Sequence, residues 1–244
     1  MQKHKIYICI DDTDELGYYK STGEISEEIK EFIEEKFNIE CSLVTRHQLF
    51  IHESIPYTSH NSSMCFTTYL SLEEKEKVKD FVIEYIKEVS AVSSAPGVCF
   101  AFEKDIVDVN ELIKYGLDAK TKVLTKDEAY SQAKRQNIDL SEHKNNGDGI
   151  IGALAGVALR LYGSDGRVKG KLKPKKVKSL VSELLEYEEI DEVRFEDGNL
   201  ASLDLEVETK TDLKMVYLKN KYVLLIENKN DIIQVISKEN LKRY

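Results

Sequence analysis

Lys5-Ile6-Tyr7-Ile8-Cys9-Ile10-Asp11-Asp12-Thr13-Asp14 is the stretch on which the rest of this chain depends. Ile6, Ile8 and Ile10 recur at every second position, so a strand over 5–10 carries one apolar face. Three carboxylates follow within four residues of its end. Like charges this close repel, and something positive has to compensate them. Two readings stand at this point. One is an Asx-rich turn that caps a helix. The other is a Mg²⁺ site holding polyphosphate, because Mg²⁺ takes one or two carboxylates together with phosphate oxygens of a substrate.

Working outward, Ile25, Ile29, Phe32 and Ile33 form one stripe of a helix from about Thr22 to Lys36. Residues 40–50 alternate as a strand, and Ser62 to Leu70 read as another. Ser71 with Glu74 makes a capping box for a helix to about Glu88, with Val78, Phe81, Val82, Tyr85 and Ile86 at helical spacing. Val98 to Phe102 supplies a fourth strand. The order β-α-β-β-α-β is that of a ferredoxin-like unit over 1–104. Its first strand would be central, with the acidic residues at its carboxyl end beside the start of the first helix, where an anion or its metal complex is held.

The fold class expected is therefore α+β: this unit, a mainly helical part over 105–190, and antiparallel strands over 191–244. In the middle part Asp108 caps a helix that stops near Gly116, and Thr125 with Glu128 opens a second one reaching about Gln136. Residues 137–146 are polar and irregular. Gly147-Asp148-Gly149-Ile150-Ile151-Gly152-Ala153-Leu154-Ala155-Gly156 then starts a helix with small residues on one side. Backbone can approach closely there, either another element of the chain or a phosphate or nucleoside. The spacing fits neither the dinucleotide nor the P-loop fingerprint. Pro174 opens a further helix to about Glu186, and strands follow at 192–196, 200–208, 212–219, 222–227 and 231–237, with turns at Asp197-Gly198-Asn199 and Asn220-Lys221.

The 244 residues suffice for one large or two small cores. Lys+Arg 35 against Asp+Glu 44 gives a net charge of -9, which disfavours general coating of nucleic acid but leaves room for a local basic site. Arg160 to Lys178 is such a region, holding Arg160, Arg167, Lys169, Lys171, Lys173, Lys175, Lys176 and Lys178 against Asp165. It reads either as a solvated lysine face or as a phosphate or RNA contact. No apolar run approaches the ~20 residues that span a bilayer, and no signal-peptide core opens the chain, so a cytoplasmic protein is expected. Cys9, Cys41, Cys65 and Cys99 lack metal-ligand spacing, and buried thiols are the expectation.

Four fragments together resemble the catalytic N-terminal part of the archaeal tRNA(Ile) 2-agmatinylcytidine synthetase family, TiaS. They are Ile10-Asp11-Asp12-Thr13-Asp14, Ile55-Pro56-Tyr57-Thr58 leading to Asn61, Pro96-Gly97-Val98-Cys99-Phe100, and the glycine-rich segment from Gly147 to Ala155, in that order over about 1–160. The resemblance implies ATP and Mg²⁺ as cofactors, bound by the acidic residues, and activation of an acceptor by phosphorylation. It also implies an autophosphorylated threonine, which falls on Thr22 within Lys20-Ser21-Thr22-Gly23. Two departures stand out. The family pattern before the threonine is closer to Gly-Met-Cys-Thr-Thr, and Asp148 stands where the family usually has Arg or Lys. Family members continue into an OB-type domain and a zinc ribbon. This chain has no Cys-x₂-Cys pairs for a ribbon, and a short standalone relative with a different acceptor is expected.

On that basis Asp11, Asp12 and Asp14 are the expected metal ligands, and with Thr22 the catalytic set. Thr13, Ser21, Thr22, Gly23, Asn61, Gly147 and Gly149 are the expected contacts to nucleotide phosphates or acceptor. Phosphoryl transfer needs little more than a metal and oriented donors. The expected partners are a nucleotide triphosphate and a small-molecule or RNA acceptor, with a homo-oligomer left open and no membrane. The competing class is a non-catalytic nucleotide- or metal-binding regulatory module.

Overall fold

The computed structural model describes residues 2–55, 60–170 and 172–244, with residues 242 and 243 as backbone alone. Contacts divide the chain into two units, Met1–Tyr162 and Gly163–Tyr244. The first unit runs β1 (His4–Asp11), α1 (Thr22–Phe37), β2 (Thr45–Gln48), β3 (Ser62–Leu70), α2 (Leu72–Val89), β4 (Gly97–Phe102), α3 (Val109–Asp118), α4 (Lys126–Arg135), β5 (Asp139–Glu142) and α5 (Gly149–Tyr162). Its strands lie in the order β5-β4-β1-β3-β2, and each neighbouring pair is antiparallel. β1 is thus interior to the sheet, and its carboxyl end delivers Asp11 opposite Gly97.

Both faces of this sheet are covered, as the two sets of strand side chains require. Ile6, Ile8, Ile10, Phe66, Val98 and Phe100 pack under α1 (Ile25, Ile29, Ile33) and α2 (Val78, Val82, Ile86). The opposite set, Tyr7, Cys9, Cys65, Cys99 and Ala101, lies against Ile150, Ala153, Leu154 and Val157 of α5, with Leu112, Tyr115, Ala129 and Ala133 from α3 and α4. α5 is apolar on nearly every side up to Leu159, as a helix packed into the core must be, with Arg160 buried in its last turn. This second face is why contacts do not break near residue 104. Residues 105–162 thus cover this face of the sheet. Cys9, Cys65 and Cys99 are buried free thiols on that face.

The capping boxes read at Ser71–Glu74 and Thr125–Glu128 both form, and a third, Ser21–Glu24, opens α1. The strand expected over 40–50 contracts to Thr45–Gln48, with Cys41 forming an isolated bridge to Thr68. The polar stretch 137–146 contributes a strand, β5, which adds to the edge of β4 through backbone pairing of Asp139 to Glu142.

Asp139 on β5 fixes this edge to α2. Its carboxylate receives Lys75 Nζ at 2.6 Å and Lys79 Nζ at 2.5 Å. Burial alone would raise the Asp139 pKa, but the two lysines together hold it below the ordinary carboxylate value. The folded-state pKa lies below the unfolded one, so the stabilisation is present at neutral pH and is lost as acidification passes through the lowered value. Asp139→Asn is expected to cost about 2 kcal/mol at pH 7, because it removes the carboxylate that both partly buried lysines share and leaves Lys75 only its contact with Glu76. Urea unfolding checks this, and the gap to the parent protein should narrow below about pH 4.

The second unit comprises β6 (Arg167–Val168), β7 (Lys178–Leu180), α6 (Val181–Leu184), β8 (Glu192–Phe195), β9 (Glu206–Glu208), β10 (Met215–Leu218), β11 (Lys221–Lys229) and β12 (Ile232–Val235). Its strand order is β6-β10-β11-β12-β9-β7, and β8 pairs with β11. The sheet is mixed, since β8–β11 and β9–β12 are parallel. Val216, Val223, Leu225, Ile236 and Leu241 form its core. The helix expected from Pro174 to Glu186 is not there. Lys178 to Leu180 pairs with β9, and only Val181–Leu184 turns as helix. Its apolar residues do not share one face: Val181 and Leu184 are buried, whereas Val177 is 62% exposed and Leu180 39%. The β10–β11 turn falls at Lys219-Asn220, one residue before the expected pair, with φ of 52 and 60 as a tight hairpin turn requires. Among the described residues no helix is long and apolar enough to cross a membrane.

Candidate functional site

The acidic residues leave β1 and enter a loop held from two directions. Asp14 accepts the Thr22 N–H at 2.9 Å, so it caps the first turn of α1 and sits in the favourable field of that helix terminus. The Thr22 hydroxyl accepts the Thr13 N–H at 3.3 Å, and Thr22 is 6% exposed. Ser21 is the N-cap of α1, its hydroxyl accepting from Glu24 N–H while the Glu24 carboxylate accepts the Ser21 N–H. Gly23 is buried in that same turn. Asp14 thus caps α1, while the hydrogen bonds of Asp11 and Asp12 run to the Asp12 and Ala95 N–H groups.

On the other side lies the segment between α2 and β4. Ala91 N–H donates to the Thr13 carbonyl at 3.0 Å, and Ala95 N–H donates to the Asp12 carboxylate at 3.3 Å. Ser93 donates to Glu15 from its backbone N–H at 3.3 Å and also from its hydroxyl. Asp12 itself adopts a φ of 55, which a short Asx side chain tolerates.

Asp11 is nine-tenths buried, and one carboxylate oxygen accepts the Asp12 N–H at 2.9 Å. The other lies directly against the backbone of α5. A Cβ added to Gly152 would fall 1.7 Å from Asp11 Oδ2. Burial pushes the Asp11 carboxyl well above its ordinary range, and the neighbouring charges of Asp12 and Asp14 add to the rise. Asp12 is raised from 3.8 to about 6, first by burial and then by Asp14 and Asp148, against the lowering effect of the Ala95 N–H. Among the described residues, the charged neighbours that shift this pair of carboxylates are the acidic Asp12, Asp14 and Asp148.

The glycine-rich segment supplies close approach. At Gly97 an added Cβ would lie 2.1 Å from the Gly149 carbonyl carbon and the Ile150 nitrogen. At Gly156 it would meet Cys9 Sγ at 2.4 Å and Ser63 Oγ at 2.5 Å. Gly149, Gly152 and Gly156 thus form one strip of α5 that lies almost on the strands, and its first turn stands at the end of β1. Gly147, at φ 67, makes the turn before the helix and abuts Glu142. Asp148 enters from this turn, held by Asn146 Nδ2 at 2.6 Å.

Asn61 stands further out. Its side-chain amide donates to the Phe50 carbonyl at 2.7 Å and its own carbonyl accepts Leu49 N–H. It reaches the site through Leu49, whose methyl group faces Gly152. Residues 56–58 of the adjoining motif lie outside the described residues. His47 is fully buried, with Nε2 at 2.8 Å from Thr45 Oγ1, a packing role. Of the basic stretch from Arg160 to Lys178, Lys171 lies outside the described residues. Arg160 is buried in α5, and Lys176 and Lys178 pair with Glu183 and Glu206. Among the described residues no group of three or more His, Cys, Asp or Glu side chains is arranged to hold a metal ion by itself.

Sequence reasoning had not placed Ala95, Asn145 or Asp148 in the functional set. Only Asp148 carried a signal, as a departure inside the glycine-rich segment.

Solved structures of similar fold exist. A complex of TiaS with an isoleucine tRNA and ATP superimposes with a TM-score of 0.54 and 25% identity, covering 64% of this chain and 36% of that one. The chain has the TiaS fold. A tRNA fluorescent labeling enzyme is similar to the same degree, with a TM-score of 0.53, 27% identity and coverage of 63% and 36%. A complex of TiaS with the same tRNA, AMPCPP and agmatine matches across 98% of this chain and 55% of that one, at a TM-score of 0.55 and 20% identity, a likeness of fold alone. The chain thus spans about a third to a half of the length of these TiaS-like structures. No protein-family model matches the chain, and neither does any curated protein sequence.

Proposed function

We propose that this protein binds ATP with Mg²⁺ at the end of β1 and uses it to activate or phosphorylate an acceptor, as an ATP-utilising relative of the tRNA-modifying enzymes that share its fold. The observation that carries the reading is the pair Asp11 and Asp12. Asp11 is buried against the first turn of α5 and Asp12 is half-buried beside it, and among the described residues the charges that shift them are negative. A site built this way is relieved by a cation. Hard carboxylate oxygens are the donor set Mg²⁺ prefers, and two carboxylates suffice when phosphate oxygens complete its coordination. Bound there, Mg²⁺ would offset the charge of the polyphosphate. The core β4-β1-β3-β2 with α1 and α2 we read as a ferredoxin-like unit extended by β5.

The residues divide the work. Asp11 and Asp12 hold the cation, and Asp14 fixes the loop to α1 while keeping an oxygen near the same place. Thr13, Ser21 and Gly23 shape the phosphate side, together with Gly149 at the start of α5. Gly147 sets the turn and Asn61 carries the wall formed by Leu49. Thr22 belongs to the site through its two hydrogen bonds. As a phosphate acceptor its hydroxyl would first have to leave the Thr13 N–H. The acceptor is a small molecule or an RNA, the latter supported by the tRNA bound in the similar structures.

Calorimetric titration of ATP with and without Mg²⁺ tests the reading. Binding should require the metal and should fall at least tenfold in Asp11→Asn, since a hydrogen bond or ion contact to a charged group contributes about 1.5–3 kcal/mol. Absence of binding, or binding equally tight without Mg²⁺, refutes it. Metal-dependent binding without turnover of any acceptor would assign the protein to the regulatory class instead.

A further inference from the structure

The segment joining β5 to α5 is tied to the segment joining α2 to β4 by a set of hydrogen bonds that neither motif contains. His143 N–H donates to the Pro96 carbonyl at 2.8 Å, and Lys144 Nζ donates to the Ser90 carbonyl at 2.7 Å. Asn145 Nδ2 donates to two carbonyls at once, Val92 at 2.9 Å and Ser94 at 2.6 Å. Gly149 N–H, at the first position of α5, donates to the Ala95 carbonyl at 3.0 Å. Ala95 in turn gives its N–H to Asp12, so both sides of one residue connect α5 to the acidic loop.

Asn145 has the geometry to hold this connection in place. Lys144 and Asn145 both adopt left-handed backbone, with φ of 60 and 42, and Asn is among the few residues other than Gly that enter this region readily. That turn aims the amide back across the 90–96 segment. Its two donors fix Val92 and Ser94, the residues on either side of Ser93, which binds Glu15, and immediately before Ala95, which binds Asp12.

We propose that Asn145 is a positioning residue of the cation and nucleotide site, acting through the 90–96 segment on Asp12. This rests on the nucleotide reading above and adds a device to it: with the bonds from His143, Lys144 and Gly149, the Asn145 clasp holds the segment between the start of α5 and the acidic loop in register. With the clasp open, the hold of Ala95 on the Asp12 carboxylate loosens, and the two halves of the site are set less firmly against each other.

The test pairs ATP titration over a series of Mg²⁺ concentrations with amide hydrogen exchange, in the full chain and in Asn145→Gly and Asn145→Asp. Gly preserves the left-handed turn and removes the amide. Asp keeps the turn and faces two carbonyls with a carboxylate. Loss of the two hydrogen bonds should raise the Mg²⁺ concentration for half-maximal ATP binding about tenfold in Asn145→Gly. Asn145→Asp should be affected more, and exchange at the Ala95 and Gly149 amides should accelerate in both. Unchanged Mg²⁺ dependence in both variants overturns the proposal, including the case in which they are merely less stable. A parent protein that binds no ATP at any Mg²⁺ concentration overturns the nucleotide reading itself, and this proposal with it.

Discussion

Replacing Asp11 and Asp12 together by asparagine is expected to raise the melting temperature of the metal-free protein at pH 7 while abolishing its Mg²⁺-dependent binding of ATP. The two effects have one cause. Each carboxylate is placed where burial and its acidic neighbours disfavour the charged form. For Asp12 the shift from 3.8 to about 6 corresponds to about 3 kcal/mol of unfavourable free energy once the group is ionised, at 1.36 kcal/mol per unit. The sign follows from proton linkage. The folded state holds the Asp12 proton more tightly than the unfolded chain, so stability falls as pH rises from about 4 to about 6, and the full penalty applies above that. Asparagine removes the penalty, and its advantage should vanish near pH 4. Differential scanning calorimetry at pH 7 and pH 4, without metal, reads this directly. A lower melting temperature at pH 7, or ATP binding that survives the double substitution, would contradict the assignment of these residues as cation ligands.

Gly97→Ala should be among the most damaging substitutions of a single carbon in this chain. The added Cβ would lie 2.1 Å from backbone atoms of Gly149 and Ile150, which belong to the first turn of α5 and cannot rotate away as a side chain would. Relief requires α5 to lift from β1 and β4, opening the packing on the Cys9–Cys99 face. Overpacking of a well-filled interior costs about 1–3 kcal/mol and sometimes more. With a backbone clash at the end of the central helix, the upper part of that range is expected. The same shift would carry Gly152 away from Asp11, so ATP binding should be lost as well. Gly17→Ala supplies the comparison. Gly17 has a φ of 81 with nothing within 4 Å of an added Cβ, so only backbone strain of about 1 kcal/mol is at stake. Urea unfolding of the two variants side by side decides it, and equal small effects would show that α5 is not seated as tightly as the structure places it.

Much of the first unit was legible in the order of residues. Ile6, Ile8 and Ile10 announce β1, and the stripes through Ile25–Ile33 and Val78–Ile86 announce α1 and α2, because burial on one face leaves a period in the chain. The capping boxes at Ser71 and Thr125 were equally plain, since they satisfy donors within four residues of themselves. What escaped was structure held by partners distant in sequence. Asp139-Leu140-Ser141-Glu142 has no apolar alternation, and it becomes a strand because β4 offers an unpaired edge and Lys75 and Lys79 receive its aspartate. Val177 and Leu180 mimic a helical stripe, but their segment pairs with β9 and leaves them exposed.

The candidate site shows the same division. The sequence by itself determined that three aspartates would stand at the end of a buried strand beside a helix start, because alternation and capping are local properties. Only the tertiary structure decided that Asp14 caps that helix while Asp11 lies beneath Gly152. It also decided that Asp148 joins the same negative field, and that Asn145 holds the 90–96 segment whose Ala95 meets Asp12. The reason is physical: Thr22, Asp12 and Asp14 act on these carboxylates from nearby in the chain, but Ala95, Asp148 and Gly152 reach them from more than eighty residues away, and no local pattern encodes those contacts.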